Sequence, residues 1–238
     1  MTARSHSSFG LKRKERYDYH SQQDHPFCRL FVYLQGVLHA PPFDLFLDPQ
    51  RQASLQLAHT SEATTLVAGS HVLSSERAEK ELAFLVAKQL AFLRPDMFLR
   101  VALPAKAQLQ GALLAACVLV NPRTALPPGE EKAIQKSADK LKKQLAYPQI
   151  ERLGSLLRRL ENPERVDLGQ WWDAVDLSTD RVAMLLCNDV ETAARLIASE
   201  PSASGLSSRG RAEELVRFAC SESYFRLREE LSITIEDG

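Results

Sequence analysis

The positions from which chemistry could be expected are Lys88, Gln89 and Phe92 on one short stretch and two acids much further on, Asp176 and Asp180. Phe84, Lys88 and Phe92 fall at i, i+4 and i+8, so on a helix the ammonium lies between two aromatic side chains on one stripe. Leu82, Leu85, Val86, Gln89 and Leu93 make the adjacent apolar stripe. Lys88 is a cation near neutral pH, Gln89 cannot take up a proton, and Phe92 has no lone pair. The trio offers a metal ion nothing. A lysine on the margin of a buried face either snorkels to water or meets an acid. Asp176 and Asp180 stand four apart, one above the other on a helix face.

Other clusters are weaker. His20, Asp24 and His25 have metal-ligand types but lie in a polar stretch with no complementary pair, and read as solvated. Lys132, Lys136, Lys140, Lys142 and Lys143, with Arg152, Arg158 and Arg159, could meet phosphate. Glu130, Glu131, Asp139 and Glu151 interleave with them and no aromatic series accompanies them, so a solvated face is the expectation and nucleic acid is not expected as a partner. Trp171 and Trp172 open a long helix; one ring should enter the core, and the other, if exposed, would anchor a partner. No phosphate loop, nucleophile elbow or metal-ligand spacing appears.

Composition bounds the rest. The 238 residues are 45% hydrophobic and 25% charged, and thirty basic residues cancel thirty acidic ones. No global field therefore steers the chain toward a polyanion. Cys28, Cys117, Cys187 and Cys220 are far apart and mostly within apolar helical stretches, as buried reduced thiols would be. The start is polar, then basic over Leu11 to Arg16, with no apolar run behind it, which argues against a secretory signal and for a cytoplasmic location. The most apolar segment, Gly111 to Val120, is shorter than the roughly 20 residues a membrane span needs.

The elements that must position these groups follow from periodicity. Residues 1–25 have little to bury and are expected as a disordered arm, and 233–238 as a tail. Residues 26–232 are expected as one domain. Cys28 to Leu38 reads equally as a helix or a buried strand. Asp44–Asp48, Ser54–Ala58 and Ala63–Ala68 read as a three-stranded meander. Ser75 would then cap a helix over 76–93, which Pro95 ends. Helices are predicted at about 105–120, 128–145, 149–161, 168–187, 189–199 and 209–229. The class is α+β, mostly helical: a small meander followed by a helical bundle.

That order resembles the zinc metallopeptidases of the prenyl-protein and heat-shock protease type. Thr65 to Leu73 followed by Glu79 to Ala87 is similar to the strand, turn and helix start that introduce the family's His-Glu-x-x-His helix. In that motif two imidazoles one turn apart hold zinc while the Glu activates its water. Here Lys88, Gln89 and Phe92 stand in its place. Asp176 looks like the family's third ligand position and Asp180 like the acid that braces it, so the resemblance implies that the Lys88 ammonium approaches Asp176 or Asp180 and ties the two helices in place of the metal. The resemblance covers Asp44–Leu93 and Trp171–Leu186. It implies a zincin-like fold whose site has degenerated, with no metal, no cofactor and no catalysis. The chain would then be a binding or scaffolding module for a protein partner in a cytoplasmic, bacterial-type assembly. Two alternatives stay open: a hydrolase of another class using Lys88 with Asp176, and nucleic-acid binding through the basic helices of 132–159.

Overall fold

A computed structural model describes residues 5–22, 24–48, 55–60, 64–69, 72, 78–160, 166–200 and 205–231. Ser75 and the expected helix start at Glu76, the outer ends of two expected strands at Ser54 and Ala63, and the tail 233–238 lie outside these residues. The architecture is α+β and mostly helical, but the chain divides into two compact units, where one domain was expected. Leu103–Trp172 forms one; 2–102 with 173–238 forms the other.

The larger unit is built on four short strands, β1 (Arg16–Tyr17), β2 (Asp44–Asp48), β3 (Leu55–His59) and β4 (Thr64–Gly69). Their order is β1-β2-β4-β3, with β2 and β4 parallel and the outer pairs antiparallel. The sheet is thus mixed and four-stranded, not a three-stranded meander. β4 takes an inner place because Thr65, Leu66, Val67, Ala68 and Gly69 are all buried, a run that suits a strand covered on both faces. β3 leaves Gln56 exposed, as an edge strand can.

Alternation splits the strand residues between the two faces. Leu45, Leu66 and Ala68 join the main core with α1 (Pro26–Val37) and α2 (Glu79–Ala91). Phe46, Val67 and Ala58 face the other way and meet Leu11 and Phe9. Residues 5–22, expected as a disordered arm, therefore carry structure: two short 3-10 turns, β1, and a buried His6 whose Nε2 lies 2.9 Å from Thr65 Oγ1. Without them the second face of the sheet would present Phe46 and Val67 to water, a cost of about 1.5–3 kcal/mol for each side chain.

α1 settles as a helix: Pro26 sits in its first turn, the His25 ring accepts from Phe27 N at 3.2 Å, and Phe27, Cys28, Phe31 and Leu34 point inward. A short α3 (Leu99–Ala102) follows α2. In the smaller unit α4 (Lys106–Val120) packs Leu114, Ala115 and Val118 on Ile134 and Ala138 of α5 (Glu131–Gln144). Val120 of α4 also closes on Gly154 of α6 (Tyr147–Arg159). The division of the chain falls inside α7 (Leu168–Cys187), after Trp172. Asn188 then turns with φ 52°, and Asp189 caps α8 (Val190–Ser199) by accepting from Thr192 N at 2.9 Å. The last predicted helix divides into α9 (Ser208–Ala219) and α10 (Glu222–Glu230), because Ser221 Oγ caps a new start at Tyr224 N. No helix among the described residues is long and apolar enough to cross a membrane.

Candidate functional site

α2 is buried almost all round. Leu82, Phe84, Val86 and Leu90 enter the core, and Lys88 goes in with them. The apolar stripe read from the sequence is turned slightly, since Leu85 and Gln89 are only half-buried. Lys88 therefore cannot reach water along its own stem. Its Nζ lies 5.9 Å from the Phe84 ring centre and 3.0 Å from Asp180 Oδ1, and it donates to Glu200 Oε2.

Asp180, on α7, is wholly buried and accepts a two-pronged bond from Arg211 of α9. Arg211 Nε meets Oδ2 and Nη2 meets Oδ1, each at 2.8 Å. Nη2 also reaches Glu200 Oε2 at 3.2 Å. Two cations and two anions thus close a ring between α2, α7, α9 and the residue that ends α8. Burial pushes the Asp180 carboxyl up, against the pull of Lys88 and Arg211. Burial also opposes the Arg211 charge, but Asp180 and Glu200 outweigh it and hold the guanidinium above its ordinary value. A balanced ring of this kind is a structural tie: each charge has an opposite within bonding distance, and losing one strands its neighbour.

Asp176, one turn before Asp180, takes a different cation. Arg100 of α3 grips it with both prongs, Nε to Oδ1 at 2.9 Å and Nη2 to Oδ2 at 3.1 Å. Lys88, expected beside Asp176 or Asp180, thus meets Asp180, while Arg100 holds Asp176. Gln89 is half-buried and Phe92 is buried just past the end of α2; among the described residues neither bonds to either acid.

The partner residues Arg100, Glu200 and Arg211 were not singled out in the sequence. Arg211 leaves a trace there: it stands four before the fully buried Leu215, so one helical stripe carries both. Arg100 sits on a helix too short to show a period.

Of the remaining candidates, Trp172 is enclosed with Leu103 and Leu109, so it is not the exposed anchor considered for a partner. Trp171 is half-buried beside them. His25 caps α1, and the His20 ring lies 4.2 Å from that of Tyr19. Asp24 is exposed. Among the described residues no three His, Cys, Asp or Glu side chains gather as a metal site. Cys28, Cys117 and Cys187 are buried, whereas Cys220 is exposed, because α9 ends at Ala219 and its inward stripe ends with it. No family model, curated protein or solved structure matches the chain.

Proposed function

We propose that this protein is a non-catalytic, metallopeptidase-like binding or scaffolding module that works through protein-protein contacts in a cytoplasmic, bacterial-type assembly. The observation that carries the reading is the 3.0 Å pair of Lys88 and Asp180. In a cleft of the resembling family, the helix holding Lys88 and the helix holding Asp176 and Asp180 would share a zinc ion. Here each acid has a protein cation instead, Lys88 or Arg100. The Lys88 ammonium is engaged by two carboxylates, Asp180 and Glu200, and so stands as a tie between helices. The cleft then serves as an internal brace, and the outer surface is left to do the work.

Two measurements test this. Metal analysis of protein purified without a histidine tag is expected to find no stoichiometric zinc, since Lys88, Gln89 and Phe92 supply no ligand. One tightly held zinc per chain would overturn the degenerate-site reading. Photo-crosslinking in the native host is expected to give a discrete protein adduct, and a chain that forms none is not a scaffold.

A further inference from the structure

The smaller unit carries a surface that the Lys88 network does not use. Its sequence has eleven Lys and Arg against seven Asp and Glu, so the neutrality of the whole chain conceals a local excess of positive charge. Much of that excess is on α5. Ile134, Ala138 and Leu141 turn toward α4, and Lys132, Lys136, Lys140 and Lys143 follow at spacings of four, four and three on the opposite side. All four are exposed. Among the described residues none of the four is in an ion pair. Of the acids of α5, Glu131 lies to one side, its Oε2 accepting from Gly129 N at 2.9 Å, and Asp139 lies beside the row, accepting from Gln135 Nε2 at 3.2 Å, so the face keeps an excess of positive charge.

We infer that this face of α5 binds the phosphate backbone of double-stranded nucleic acid without regard to sequence. At about 1.5 Å of rise per residue the row is roughly 16 Å long, with ammonium groups about 5–6 Å apart. A duplex presents about one negative charge per 1.7 Å of axis, so a straight row of point charges finds phosphates along its whole length. Lysine suits this contact, since a flexible ammonium neutralises phosphate without a fixed docking angle. No large apolar side chain of α5 is exposed, so a lipid surface would gain charge contact but no insertion. No aromatic ring lies along the row, so unpaired bases would find nothing to stack on. The inference is independent of the reading of Lys88, and either can fail alone.

The test is fluorescence anisotropy of the full chain with a labelled duplex of about 20 base pairs, from about 50 to 200 mM salt. Four neutralised phosphates give a slope of log affinity on log salt near −3.6, a loss of about 100-fold across that range. Replacing Lys132, Lys136, Lys140 and Lys143 together by Gln is expected to abolish binding. Lys136→Gln or Lys140→Gln alone should each lower the slope by about one. Removing four exposed cations elsewhere, Lys12, Lys14, Arg209 and Arg226, is expected to change affinity by less than about twofold, since those charges lie outside the row. Absence of binding at the lowest salt, equal binding by the four-lysine variant, or easier displacement of the duplex by phosphatidylserine vesicles or polyglutamate than by unlabelled duplex would each overturn the inference.

Discussion

At the scale of single residues, the side chain with most at stake is Lys88. Its ammonium is shared by a carboxylate with no exposure, Asp180, and by Glu200, which keeps an edge in water. Lys88→Met leaves two anions facing Arg211 alone. Removing one partner of a buried pair costs about 3–5 kcal/mol, and the fork from Arg211 keeps the effect near the lower end. Adding Glu200→Gln restores one cation to one anion, so the double variant is expected to recover part of the loss in denaturant melts. Losses that simply add would show that Lys88 and Glu200 are not coupled. Asp189 gives a pH-dependent counterpart. Its bond from Thr192 N, then Lys80, holds its carboxyl below the usual carboxylate range. A depressed folded value means the contribution is present above the unfolded value, near 3.9, and is lost as pH falls through the folded one. Asp189→Ala is therefore expected to cost about 1 kcal/mol near neutral pH, the usual worth of an N-cap, with the gap to the parent protein closing in acid. A gap that persists undiminished in acid would assign the effect to something other than the ionised cap.

At the scale of elements, α2 separates what packing decides from what periodicity suggests. Leu90 is almost wholly buried, so Leu90→Ala is expected to cost about 2–5 kcal/mol, whereas Lys142→Ala on exposed α5 should stay under about 0.5 kcal/mol. Equal shifts in the melting midpoint would mean that α2 is not the core helix. Most helices were legible because their ends carry local chemistry: Pro122, Pro127 and Pro148 mark the breaks between them. The inward face of α2 was legible only in part. An apolar helix enclosed on nearly every side has no single stripe, so periodicity puts Leu85 and Gln89 on the inward side and leaves out the buried Leu90. The sheet order was not legible, since the parallel pairing of Asp44 with Thr65 joins strands that are not neighbours in sequence. The order of charges in the site was equally hidden. Lys88, Asp176 and Asp180 could be picked out by type, but which cation meets which acid depends on α3 and α9, brought in from far along the chain.

At the scale of the whole molecule, the four cysteines report on each unit separately. Cys28 on α1 and Cys187 at the end of α7 belong to one core cluster, although 159 positions separate them, as their residue numbers give. Cys117 lies in α4 of the smaller unit, and Cys220 is exposed. Burial raises the Cys28 thiol and pushes Cys187 up to about 11, and a neutral, enclosed thiol is a poor nucleophile. A disulfide reagent at neutral pH is accordingly expected to label Cys220 at once in native protein and the other three only on opening. If sheet, α1, α2 and α7 share one core, they open together, so Cys28 and Cys187 should become reactive at the same denaturant concentration. Peptide mapping of the labelled protein along a denaturant series separates these events, with Cys117 following its own unit by itself. Cys28 and Cys187 appearing at clearly different concentrations would divide the larger unit and, with it, the brace in which Lys88 of α2 holds Asp180 of α7.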